Sequence, residues 1–129
     1  MTIPLYCVLV AFLMIYVPKI AVAVGMARAK GGYDNRSPRD QQAKLEGWAR
    51  RATAAHYNAF EAFGPFAAAV LISHLAHADA RWSSALSLTF IAARTLYPIL
   101  YIANLHKARS SIWGVGFAAT CGLFLLPLF

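Results

Sequence analysis

Long apolar windows alternate with short polar connections along the chain. Four windows, residues 3–27, 54–78, 84–104 and 110–129, each contain at most one Asp, Glu, Lys or Arg. Each is close to the roughly 20 residues that a helix needs to cross the hydrocarbon core of a membrane. Because the backbone must satisfy its own polar groups in lipid, four such windows favour helices over strands. The pattern predicts an all-α integral membrane protein, with one domain over residues 1–129 and a bundle of four transmembrane helices.

The composition supports a membrane environment. Hydrophobic residues make up 60% of the chain and charged residues only 13%, about half of the usual share in soluble domains. The "AVA" at 21–23 resembles the cleavage site of a secretory signal. However, the chain has no basic segment before the first apolar window, and this window is longer than the apolar region of a signal peptide. We therefore expect the first window to be a retained helix.

Basic residues are concentrated in the connection that covers residues 28–53. The connection at 105–109 adds two more, whereas the second connection has Arg81 alone. Since Lys and Arg favour the cytoplasmic side, both termini are expected on the non-cytoplasmic side. The same basic edge suits anionic lipid headgroups, and no motif points to nucleic acid. The seven basic residues of the first connection are Arg28, Lys30, Arg36, Arg39, Lys44, Arg50 and Arg51.

Prolines and capping residues predict where the helices start and bend. Pro18 predicts a kink in the first helix, with the freed carbonyl satisfied by a neighbouring helix. Ser37 and Pro38 are typical of a helix start, from which helical residues are expected to continue to Pro65. Pro65 and the preceding Gly64 predict a bend within the bilayer.

Two polar stripes are expected to converge near the cytoplasmic side. On the second helix, Arg51, Asn58 and Glu61 lie within one narrow stripe. On the third helix, the i, i+3, i+7 spacing of three polar residues places them on one face. One interpretation is a structural ion pair between the helices. Another is a pocket for a small anionic ligand that also carries an amine, such as glutathione. The third-helix residues are Arg94, Tyr97 and Tyr101, and the flanking arginines are Arg28 and Arg109.

These motifs resemble those of the MAPEG family, the membrane-associated proteins in eicosanoid and glutathione metabolism. The stretch "AAHYNAFEAFGPF" is similar to its second-helix signature, "RTLYPILY" to its third-helix pattern and "ARSSIW" to the start of its fourth helix. The chain length, the four windows and the basic first connection also agree. The short connections resemble those of bacterial members, which implies a bacterial inner membrane.

The resemblance implies a homotrimer that binds glutathione as a co-substrate between subunits. Arg109 would be the catalytic arginine that stabilises the glutathione thiolate, which then attacks a lipophilic electrophile. The function would be that of a glutathione-dependent transferase or peroxidase. Its partners would be glutathione, a lipophilic small molecule, membrane lipid and further copies of the chain. The glutathione-binding residues would be Arg28, Arg51, Asn58, Glu61, Arg94, Tyr97 and Tyr101.

Two other functions fit parts of the pattern. A small multidrug-type transporter also has four helices and a membrane carboxylate, but that carboxylate is typically in the first helix, where this chain has Lys19. A non-catalytic relative with a decayed site is favoured by Ala54, at a position where many eukaryotic relatives have arginine.

The remaining reactive side chains have simpler interpretations. Cys7 and Cys121 lie in apolar windows and are expected to fill space. His56 is expected to form a hydrogen bond between helices. His74 and His77 are too few for a closed zinc site, so no metal is expected.

Overall fold

The protein is entirely helical in a computed structural model that describes residues 1–129. No strand is present, and the all-α prediction is confirmed. The elements are α1 (Ile3–Met14), α2 (Val17–Arg28), α3 (Pro38–Ala43), α4 (Gly47–Leu75), α5 (Ala80–Ile102), α6 (His106–Leu125) and a final 3₁₀ turn (Leu126–Leu128).

Three helical segments are long and apolar enough to cross a membrane. They cover Ile3–Arg28, which combines α1 and α2, Ala80–Ile102 and His106–Leu128. The predicted second span lies within α4, a helix of 29 residues that carries Asn58 and Glu61 in its middle part. These two polar residues lower the mean hydropathy of α4 relative to the other three segments.

The first window is divided into two helices, as Pro18 predicts. Pro18 has no N–H to donate to the carbonyl four residues earlier, and its ring crowds the preceding turn. Helix α1 ends at Met14 and α2 begins at Val17. The carbonyl of Ile15 lies 2.8 Å from Nδ1 of His56 on α4. A carbonyl can only accept, so Nδ1 carries the proton and donates. A neighbouring helix thus satisfies the broken helix, and both the kink and the interhelical hydrogen bond of His56 are confirmed.

The expected continuous helix from Pro38 to Pro65 is wrong, because α3 ends at Ala43 and α4 starts at Gly47. Gly47 has φ +56°, a left-handed conformation that glycine adopts without strain, and it turns the chain between the two helices. The predicted cap also differs. The side chain of Ser37 caps nothing, whereas Asp34 Oδ1 accepts hydrogen bonds from the backbone nitrogens of Arg36 and Ser37 at 2.8 and 3.2 Å.

Helix α4 is the centre of the fold and packs against α1, α2, α5 and α6. Toward its C-terminal half, the buried ring of Phe66 stacks on Phe90 of α5 with centroids 3.8 Å apart. Toward its N-terminal half, Gly25 of α2 approaches so closely that a Cβ added there would lie 2.6 Å from Cβ of Ala49. These two contacts fix the positions of α2 and α5 on opposite halves of α4.

Candidate functional site

A groove of about 290 Å³ opens between α4, α5 and α6. We call it the α4–α6 groove. Polar residues of α4 and α5 line one part of it, namely Asn58, Glu61 and Arg94. Aromatic residues from α6 line the rest, among them Trp113 and Phe117, whose rings stack with centroids 5.2 Å apart. The groove therefore combines a charged end with an apolar wall.

Asn58 and Glu61 form a hydrogen-bonded pair on α4. They are three residues apart, so they lie on neighbouring turns of one face. Asn58 Nδ2 donates to Glu61 Oε2 over 3.1 Å. The other amide atom, Asn58 Oδ1, is buried and has no hydrogen-bond partner. The pair thus presents a carboxylate and an unused amide acceptor to the groove, both of which suit an N–H or ammonium donor.

Arg94 provides the positive charge on the other side of the groove. Its side chain is only 8% exposed, and its guanidinium carbon lies 4.3 Å from the centre of the Tyr97 ring. This cation–π contact stabilises the charge in an apolar environment. Five N–H groups of the guanidinium remain suited to oxygen acceptors, which gives the groove an anion-binding element opposite Glu61.

Aromatic rings connect Arg94 with Arg109 of α6. The ring of Tyr97 meets that of Tyr101 edge to face, with centroids 5.6 Å apart. The guanidinium carbon of Arg109 lies 4.4 Å from the centre of the Tyr101 ring. Arg109 is one turn before the groove residue Trp113. The structure therefore brings Arg94, Tyr97, Tyr101 and Arg109 together in one row beside the groove.

The two other predicted arginines are placed differently. Arg51 Nε donates to the carbonyl of Ile102, at the end of α5, over 2.9 Å. This bond holds α4 against α5 next to Tyr101 and leaves the two terminal nitrogens of Arg51 for other partners. Arg28 is exposed at the C-terminal end of α2 and does not line the groove.

The aromatic wall was missed by the sequence analysis, which weighed only polar and ionisable residues. Its members on α6 follow a helical spacing that places them on one face. Cys121, which was expected to fill space, is also part of this wall. The spacing is visible in the sequence, but aromatic residues are common in any apolar helix and so gave no signal of a groove. The α6 residues of the wall are Trp113, Gly116, Phe117, Thr120, Cys121 and Phe124.

The histidines do not belong to the groove. His56 points to the break in the first window, as described above. His74 and His77 lie near the junction of α4 and α5, at the opposite end of α4 from Arg51. No group of three or more His, Cys, Asp or Glu side chains is arranged to hold a metal ion.

Comparison with known proteins gives the family. No curated protein and no solved structure matches the chain. A model of the MAPEG family matches residues 3–129, which is essentially the whole chain. Together with the three apolar helices of spanning length, this match identifies an integral membrane protein. The chain therefore belongs to the MAPEG family, the membrane-associated proteins in eicosanoid and glutathione metabolism.

Proposed function

We propose that the protein is a glutathione-dependent membrane transferase or peroxidase, which activates the glutathione thiol for attack on a lipophilic electrophile. The observation that carries this proposal is the α4–α6 groove. It combines the carboxylate of Glu61, the amide of Asn58 and the guanidinium of Arg94 with an apolar aromatic wall. A water-soluble peptide and an apolar second substrate can meet in such a groove.

The charged end of the groove matches the functional groups of glutathione. Glu61 is the partner for the ammonium group, and the unused Oδ1 of Asn58 accepts an amide N–H. Arg94 binds a carboxylate, and the terminal nitrogens of Arg51 bind the other one. The hydroxyl groups of Tyr97 and Tyr101 supply neutral hydrogen bonds along the row between Arg94 and Arg109.

Arg109 is the catalytic residue in this proposal. A thiol has a pKa near 8.5 in water, and a nearby guanidinium favours its thiolate form. The contact of Arg109 with Tyr101 holds the guanidinium in place without neutralising its charge. The thiolate then forms a new bond from sulfur to the electrophile, whose leaving group takes the electron pair of the broken bond. Trp113 and Phe117 hold that electrophile on the apolar wall.

A trimer of four-span subunits completes this site. In this proposal α4 is the remaining span, and its polar face is covered by a neighbouring subunit rather than by lipid. Arg28 lies outside the groove of its own chain, so we assign it to the groove of the neighbouring subunit. The basic connection from 28 to 53 places the charged end of the groove on the cytoplasmic side, with both termini on the other side of a bacterial inner membrane.

Calorimetry with glutathione on detergent-purified protein tests the binding part of the proposal. We expect saturable binding to the wild type and clearly weaker binding to Glu61→Gln, because the amide cannot neutralise an ammonium group. His74→Gln is the matched control, since His74 lies outside the groove. No binding at millimolar glutathione, or equal affinity of Glu61→Gln and the wild type, would contradict the proposal.

A further inference from the structure

A second, much smaller cavity lies on the other side of Arg94. It has a volume of about 20 Å³ and is enclosed by the break between α1 and α2 together with α4 and α5. A cavity needs about 10–15 Å³ of this kind of volume to hold one water molecule. The cavity therefore has room for a single water and for nothing larger. The residues that carry the argument are Met14, Pro18, Arg94 and Pro98, all of which line it.

Two backbone carbonyls at this cavity lack their helical donors. In a helix the N–H of residue i+4 donates to the carbonyl of residue i, and proline has no N–H. Pro18 therefore frees the carbonyl of Met14, and Pro98 frees the carbonyl of Arg94. A residue and the proline four positions later lie on the same helix face, and here both members of both pairs line the cavity. The gap in each hydrogen-bond ladder is thus on the cavity side.

The guanidinium of Arg94 supplies the third polar group. The Arg94 side chain also lines the cavity, and its contact with the Tyr97 ring leaves N–H donors without an oxygen acceptor. A water molecule donates two hydrogen bonds and accepts at least one. Two free carbonyls and one guanidinium N–H match this capacity, and buried waters typically have about three such partners.

We propose that this cavity is a binding site for one structural water, which donates to the carbonyls of Met14 and Arg94 and accepts from the Arg94 guanidinium. The bound water joins the break in the first membrane segment to the side chain that also lines the α4–α6 groove. Arg94 is then held from the cavity side by the water and from the other side by Tyr97. The proposal depends on the fold alone and stands whether or not the groove binds glutathione.

Radiolytic oxidation of methionines tests this site in the full-length protein. Brief X-ray irradiation produces hydroxyl radicals from ordered water inside a folded protein, and these radicals oxidise adjacent side chains. Mass spectrometry then gives a rate for each methionine. Met14 lines the cavity, whereas Met26 is fully buried without a cavity, and Met1 is 75% exposed and monitors the dose. We expect Met14 to be oxidised much faster than Met26.

Variants of the cavity separate the bound water from water that enters from outside. Ala59 lines the cavity, so Ala59→Leu fills it and should abolish the rapid oxidation of Met14. Ala68→Leu, at an exposed position of the same helix, is the matched control and should leave the rate unchanged. Pro98→Ala restores an N–H donor to the Arg94 carbonyl, removes one partner of the water and should lower the rate. This second variant keeps the test decisive if Ala59→Leu fails to fold.

Two results would overturn the proposal. In the first, Met14 in the wild type is oxidised no faster than Met26. In the second, the rate at Met14 is the same in the wild type as in the folded cavity variant, Ala59→Leu or Pro98→Ala.

Discussion

Nδ1 of His56 donates a hydrogen bond to the carbonyl of Ile15, and this contact holds the second membrane segment to the break in the first. The break exists because of Pro18, and the histidine lies where the helix has lost its own donors. The most conspicuous polar side chain of the family signature therefore supports the fold rather than the groove. Its neighbours on α4, Asn58 and Glu61, face the other way.

Replacing His56 should destabilise the protein without removing a groove residue. In His56→Ala the carbonyl of Ile15 remains buried without a donor, which costs about 1–3 kcal/mol. We expect a lower midpoint of thermal unfolding in detergent, with His74→Ala as an exposed control. The loss should be smaller in a Pro18→Ala background, since an unbroken helix can satisfy this carbonyl itself. Equal losses in both backgrounds would show that the hydrogen bond is not what stabilises the break.

Two glycines in helices should respond in opposite ways to the same substitution. In Gly25→Ala the new Cβ would lie 2.6 Å from Cβ of Ala49, so α2 and α4 must move apart at a cost of about 1–3 kcal/mol. Gly114 has open space around it, and Gly114→Ala should be neutral or stabilise the helix by up to about 1 kcal/mol. Unfolding in detergent measures both. A Gly25→Ala variant as stable as Gly114→Ala would mean that the close packing of α2 on α4 is not required.

The ring of Tyr101 should matter for catalysis through its face. Tyr101→Leu removes the cation–π contact with Arg109, which is worth about 0.5–2 kcal/mol. This corresponds to a loss of about twofold to about thirtyfold in kcat/KM with a model electrophile. Tyr101→Phe keeps the ring face and should retain most of the activity. If Phe and Leu at this position are equally impaired, the hydroxyl group rather than the ring face is what the reaction uses.

Arg28 and Glu61 should act from different subunits. Arg28→Ala and Glu61→Gln are each expected to have little glutathione-dependent activity. In mixed trimers, a groove whose Glu61 comes from an Arg28→Ala subunit can receive Arg28 from a Glu61→Gln neighbour. We therefore expect co-expression with two different affinity tags to restore part of the activity in the doubly purified complex. A doubly purified complex that stays inactive would place Arg28 outside the neighbouring groove.

The fold could be predicted largely from the distribution of apolar residues, and the polar part of the groove from its exceptions. Glu61 and Arg94 stand out because a charged side chain is costly in an apolar helix and so calls for a partner. The break between α3 and α4 was not predictable from helix signals alone. It depends on the left-handed backbone of Gly47 and on the turn made by Asp34, which takes the backbone donors that Ser37 was expected to cap.

The partner of Arg51 could not be predicted from its own helix. Helical spacing gives the face from which a side chain leaves the helix, but a long side chain reaches whatever acceptor lies nearby. Here that acceptor is the carbonyl of Ile102, one of the groups left without a donor at the end of α5. The aromatic wall of α6 required the packing of three helices, because only that packing shows which aromatic side chains line a groove and which face lipid.

The thiolate absorbance of bound glutathione tests the central claim most directly. Titration of detergent-purified protein with glutathione should produce the ultraviolet absorbance of a thiolate at neutral pH, in proportion to the occupied sites. Arg109→Ala should bind glutathione without this absorbance, because the guanidinium that favours the thiolate is absent. The account is contradicted if glutathione binds to the wild type without forming a thiolate, or if Arg109→Ala gives the same absorbance as the wild type.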